Sequence, residues 1–128
     1  MPHPNEETLR KAYDRFAKGD IPGFLSLCTP DFRLKVPGKN RLSGDHDAGR
    51  FLAMLGPMME ETGNTFRETV LHLAANDADG FVLVAQQIER GGELLRWNAV
   101  HHYDIVGGKL SRFWEFIDDQ TTFDRAWR

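Results

Sequence analysis

The chain has 128 residues, a net charge of −3 and a pI near 5.9, with 41% hydrophobic and 27% charged residues. That is enough for one domain with a real core and too little for two, so residues 1–128 read as a single domain. The scattered basic residues and acidic balance exclude a nucleic-acid or anionic-membrane surface, and the single cysteine, Cys28, excludes an internal disulfide.

The opening "MPHPNEETLR" carries no apolar leader, and no stretch approaches 18 apolar residues, which points to a cytoplasmic chain. From Glu6 to about Lys18, Leu9, Ala12, Tyr13, Phe16 and Ala17 follow helical spacing. Gly19-Asp20 ends that helix, and Pro22 starts a short second one over Ile21–Cys28. Within "FLSLCTPDF" the thiol of Cys28 reads as small core filler rather than a nucleophile. Asp20 and Asp31 read as cap and turn residues. In "FRLKVPG", Leu34 and Val36 share one face and Arg33 and Lys35 the other, as in a strand with one buried side. Asp45 or Asp47 is placed to cap a third helix carrying Phe51, Leu52, Leu55, Met58 and Met59, with Gly56-Pro57 expected to kink or break it.

The second half is β. Strands are expected over Phe66 to about Ala75, Phe81–Glu89, Leu94–Ile105 and Lys109–Asp118, followed by a short helical tail whose cap is Asp118 or Asp119. Gly91-Gly92 is a strong two-residue hairpin signal. Helices first and antiparallel strands afterwards make an α+β fold with the helices packed on one face of a sheet.

The motifs "KGDIPGFLSLCTPDF" and "YDIVGGKLSRFWEFID", in that order, resemble the NTF2-like superfamily and its SnoaL-like, ketosteroid-isomerase-like branch. The resemblance covers nearly the whole chain. It implies a cystatin-like cone, N-terminal helices on a curved, mixed, mostly antiparallel sheet that encloses a pocket. Ketosteroid isomerase chemistry is disfavoured, because its tyrosine, base and oxyanion-hole acid fall on Ala12, Val36 and Ala99, with Tyr13 one place off. Limonene epoxide hydrolase chemistry is disfavoured too. Its tyrosine and asparagine fall on Leu34 and Val36, its arginine on Gln86 or Gln87, and the neighbouring aspartate on Ile88 or Glu89. The polyketide cyclases match better, since their aspartate acid/base and neighbouring histidine fall on Glu115 and His101.

Strand register decides whether these two meet. With Val106-Gly107-Gly108 as a three-residue loop, Ile105 pairs with Lys109 and His101 with Phe113. His101 and Glu115 are then diagonal neighbours roughly 7–8 Å apart on one face. With Gly107-Gly108 as a two-residue turn, His101 pairs with Trp114 and Glu115 points away. The first register gives a wall of Val82, Val84, Gln86, Ile88, Trp97, Ala99, His101, Phe113, Glu115 and Ile117, joined by Leu34 and Val36. Tyr13, Phe16, Phe51, Leu55 and Met58 complete the expected lining of a small-molecule site.

Three functions from different classes fit. One is a cofactor-free acid/base enzyme acting on a small hydrophobic carbonyl compound, with Glu115 as proton carrier and His101 as its partner. In it Gln86, Trp97 and Tyr13 position the substrate. The second is a carrier that binds such a molecule without turnover. The third is an interaction module in which the outer sheet matters and the pocket is filled, the His–Glu pair being mutual satisfaction of buried polar groups. A homodimer is expected through the outer sheet face, Asn98, His102, Trp114 and Phe116. No metal is expected: His101 and His102 point to opposite faces, and His46 and His72 have no ligand spacing.

Overall fold

The computed structural model describes residues 3–128. Helix α1, Pro4–Ala17, starts from a capping box in which the His3 side chain accepts from Asn5 N and the Glu6 side chain accepts from the His3 backbone. Its buried stripe, Leu9 and Ala12, faces the strands Arg67–Ala75 and Asp79–Arg90. Helix α2 is shorter than expected, Ile21–Leu25, capped by Asp20. Strand β1 already begins at Cys28 and runs to Val36, so Asp31 lies in a strand and not in a turn. The exchange is physically sensible, because Thr29-Pro30 cannot continue a helix and Cys28 faces inward at the strand's first position.

A four-residue strand, β2 (Gly44–Asp47), was not expected; it adds an antiparallel edge to β1. Asp47 then caps helix α3, Ala48–Glu61, through Arg50 N. Pro57 does not break α3. Pro57 and Ala53, whose carbonyl loses its partner there, both lie on the exposed side, open to solvent.

Strands β3 (Arg67–Ala75), β4 (Asp79–Arg90), β5 (Glu93–Val106) and β6 (Lys109–Ile117) form a meander. The curved, unclosed sheet has the order β2-β1-β6-β5-β4-β3, with β1 and β6 parallel and every other pair antiparallel. Helix α4, Gln120–Ala126, is capped by Asp119 and packs on β5 and β4. Asp118 instead accepts from Asn98 N.

Both Gly-Gly pairs form two-residue turns with φ of 59° and 79° at Gly91 and Gly92 and 57° and 78° at Gly107 and Gly108. Two consecutive positive φ values are the type I′ geometry, which glycine adopts without strain. The second turn is therefore not the favoured three-residue loop. Val106 pairs with Lys109 and Ile105 with Leu110, which alone would turn Glu115 outward. A bulge follows: Asp104 pairs with Arg112, leaving Ser111 as the extra residue. Beyond it His101 stands directly opposite Glu115, neither diagonal to it nor on the other face. Two departures from the simple hairpin have opposite effects on side-chain direction, and the inward wall survives.

The buried core forms two clusters. One, under α1, includes Leu9, Phe32, Val82, Tyr103 and Phe113; the other, under α3 and α4, includes Val36, Leu55, Ile88, Trp97, Phe123 and Trp127. Among the described residues, no helix is long and apolar enough to cross a membrane. Asn98, His102, Trp114 and Phe116 lie on the far side of the sheet, with His102 half-buried and the other three exposed.

Candidate active site

Members of both core clusters line an inner cavity of about 100 Å³. It opens into an outer groove of about 900 Å³ between α1, α3 and β3, and Tyr13, Phe16, Leu52, Leu55, Met59, Phe66 and Glu68 belong to both spaces. The inner lining is almost wholly apolar and aromatic, including Phe24, Phe32, Phe51, Phe113, Phe123 and Trp127. Its polar groups gather on one wall.

That wall comes from the inward positions of β3, β4, β5 and β6 and one helix residue. Alternation sends Gln86, His101, Tyr103 and Glu115 to the helix-covered face, and α1 lowers Tyr13 onto them. His101 Nε2 lies 2.7 Å from Glu115 Oε2, both side chains being under a tenth exposed. His101 Nδ1 lies 2.5 Å from the Tyr13 hydroxyl, which lies 2.8 Å from that of Tyr103. One proton assignment satisfies every member: Tyr103 donates to Tyr13, Tyr13 donates to Nδ1, and Nε2–H donates to the Glu115 carboxylate. Protonating Nδ1 reverses both hydroxyls. The four side chains thus form a line along which one proton's arrival is felt at the far end.

Burial first, and then neighbouring acids and phenols, hold the Tyr13 hydroxyl well above its ordinary range. Burial does the same to Tyr103, with the Tyr13 hydrogen bond opposing it. Both remain phenols at neutral pH and act as neutral hydrogen-bonding groups.

A second buried chain runs beside the first. Trp97 Nε1 donates to Gln86 Oε1 at 2.6 Å, and Gln86 Nε2 donates to Glu68 Oε2 at 2.5 Å. Burial raises the Glu68 carboxyl above the usual range, against the pull of His101 and the Gln86 amide.

Residues 9–113 match the SnoaL-like domain pattern. The chain belongs to the SnoaL-like domain family. An uncharacterised protein of Mycobacterium tuberculosis is 26% identical over 124 residues, covering 94% of this chain and 94% of that protein. Bal32a, from a soil-derived mobile gene cassette, is 28% identical with a TM-score of 0.89, over 98% of this chain and 97% of that one. TerC, crystallised with polyporic acid, is 23% identical with a TM-score of 0.82, over 97% of this chain and 98% of that one, a likeness of fold. The fold of this SnoaL-like chain is accordingly the NTF2-like, cystatin-like one that the motif order implies.

Of the residues expected to line the SnoaL-like cavity, Tyr13, Phe16, Leu34, Val36, Phe51, Leu55, Gln86, His101, Phe113 and Glu115 do so. Met58, Val82, Val84, Ile88, Trp97, Ala99 and Ile117 do not, Val82 and Ile88 being fully buried. Met58, Val84, Trp97 and Ala99 are sealed into the packed core and Ile117 packs against it, so Met59 takes the place expected for Met58 on α3. Trp97 supports Gln86 from behind instead of touching the cavity. Glu68 and Tyr103 were not foreseen. Tyr103 follows His101 by two residues on β5, so the same alternation places it on the same wall. Glu68 lies between Phe66 and Val70 ahead of a bulge at Leu71, and opposite Gln86, so its inward face was written in the alternation of "FRETV". His46 is occupied by the carbonyls of Leu42 and Ser43, at 3.0 and 3.1 Å, and His72 is exposed.

Proposed function

We propose that this SnoaL-like protein is an acid/base enzyme that moves a proton on a small hydrophobic carbonyl compound, in an isomerisation or a cyclisation. The supporting observation is the line Glu115–His101–Tyr13–Tyr103 on the one polar wall of an apolar cavity. The carboxylate–imidazole pair takes a C–H proton next to the carbonyl. The electron pair stays in the substrate as an enolate, whose oxygen accepts from Tyr103 once the proton held at His101 has reversed the two hydroxyls, and the proton returns to a different atom. Positioned acid/base groups of this kind contribute about 10²–10⁴-fold in rate.

The test is α-proton exchange. Small cyclic and aryl ketones incubated with the protein in D₂O are followed by proton NMR, with binding measured in parallel. The expected result is exchange that falls at least about 100-fold in Glu115→Gln with binding retained. A ketone that binds and exchanges no faster than in buffer overturns the proposal.

A binding or carrier role is the second reading. It is supported by the fact that both ring nitrogens of His101 and both polar atoms of Gln86 already have partners. In that case Glu115→Gln leaves ligand uptake and release unchanged. For assembly, we propose a homodimer through the outer sheet face, supported by exposed Val100 and Phe116 and by Trp114 stacked on Phe116 with ring centroids 5.2 Å apart. Trp114→Glu is expected to give a monomer by light scattering; a wild-type monomer at micromolar concentration overturns it.

A further inference from the structure

The charged groups of the inner cavity are unbalanced. Glu68 and Glu115 line it, His101 is the one basic side chain, and among the described residues no Lys or Arg reaches it. Arg10 and Arg67 stand only on the outer groove, where the Arg67 guanidinium donates to the carbonyls of Asn64 and Phe66 at 2.9 and 2.7 Å. Glu68 belongs to both spaces and so stands at the neck between them.

Its orientation is imposed from inside the core. An indole N–H can only donate, so Trp97 requires the oxygen of the Gln86 amide. That leaves the Gln86 NH₂ to face Glu68, which must accept from it. Trp97 and Gln86 are both buried, so neither swings aside. Glu68 is thereby held at the neck as an acceptor, with Oε1 left for whatever enters.

A hydroxyl, enol or other donor on a ligand satisfies that oxygen. A carboxylate or phosphate brings only acceptors and a like charge, and the wall behind Glu68 carries a second carboxylate. We infer that Glu68 is the specificity-determining residue of the cavity: it admits uncharged ligands that carry a hydrogen-bond donor and excludes anionic ones. The inference rests on the reading of the cavity as a small-molecule site.

The experiment uses matched aromatic pairs, benzyl alcohol with benzoate, 1-naphthol with 1-naphthoate, and 2-anthracenol with 2-anthroate. Each is titrated calorimetrically into the full chain at pH 7.5. The wild type is expected to bind at least one alcohol about tenfold or more tighter than its carboxylate. Glu68→Gln, which keeps an acceptor for Gln86, is expected to narrow that ratio about fivefold or more. Glu68→Asp, which keeps the charge one methylene further back, is expected to narrow it less. Equal binding of alcohol and carboxylate by the wild type overturns the inference while leaving the small-molecule reading intact. So does a ratio unchanged in both variants. A cavity that takes up no member of the panel overturns that reading, and the inference falls with it.

Discussion

His101 and Glu115 face each other across β5 and β6, Nε2 to Oε2 at 2.7 Å, because an extra residue, Ser111, lies between them and a two-residue turn. Either feature alone would place Glu115 on the outer face. The pair is buried and its members satisfy one another, so its energy is best measured by a double-mutant cycle. Each of His101→Ala and Glu115→Ala is expected to cost about 3 kcal/mol, because each leaves a buried polar partner unpaired. The double variant is expected to cost about 1–3 kcal/mol less than the sum, read from urea unfolding. Additive losses would show that the two do not interact.

Deleting Ser111 tests the bulge directly. With the Gly107-Gly108 turn retained, Arg112 then follows Leu110 directly, Asp104 still meets Arg112, and His101 still meets Glu115 in a ladder without a bulge. The inward face of β6 is kept, so cooperative thermal unfolding by circular dichroism is expected to survive, whereas deleting Ser111 and Arg112 together sets Glu115 opposite His102 on the outer side and is expected to abolish it. Ser111→Ala keeps the extra residue and removes one hydrogen bond, to Asp104 O at 3.2 Å. It is expected to melt within a few degrees of the wild type.

The two tyrosines of the chain are Tyr13 and Tyr103. Burial raises both hydroxyls well above their ordinary value of 10.0. The folded state favours the protonated phenols, so the stability they contribute is fully present below about pH 10 and is lost as pH rises beyond it. Tyrosinate absorbance near 295 nm is expected to appear only together with alkaline unfolding. Tyrosinate forming near pH 10 with the fold intact would contradict the burial of the pair. Tyr13→Phe, which strips His101 Nδ1 and Tyr103 of a partner, is expected to cost about 1–3 kcal/mol.

Cys28 is buried at the first position of β1, and burial pushes its thiol up from 9.0 to about 12, with Lys109 opposing. The thiolate is the reactive form, so native protein at pH 8 is expected to react with a disulfide reagent only as fast as it unfolds. The rate is expected to rise steeply in urea. Through the thiol, stability is held below pH 9 and lost between there and about 12. Rapid labelling of native protein at pH 8 would show that Cys28 is accessible.

Local chemistry made much of this protein legible in its sequence. The spacing of Leu9, Ala12 and Phe16 marks α1, the Asp20, Asp47 and Asp119 side chains mark helix starts, and Gly91-Gly92 marks a type I′ turn. Each depends on a few neighbouring residues and on torsions that only certain side chains accept. The inward positions of Gln86, Trp97 and His101 followed from alternation counted back from Gly91-Gly92. The tertiary structure decided what depends on partners distant in the chain. The Ser111 bulge forms where β6 must pair with β5 on one side and run parallel to β1 on the other, a constraint no local window contains. Whether an inward residue touches cavity or core is likewise settled by what packs over it. Clusters under α1, α3 and α4 bury Val84, Trp97 and Ala99, while the gap between those helices exposes Glu68, Gln86 and Glu115 to the cavity. Alternation specifies a face; only the elements laid across that face determine which of its residues meet a ligand.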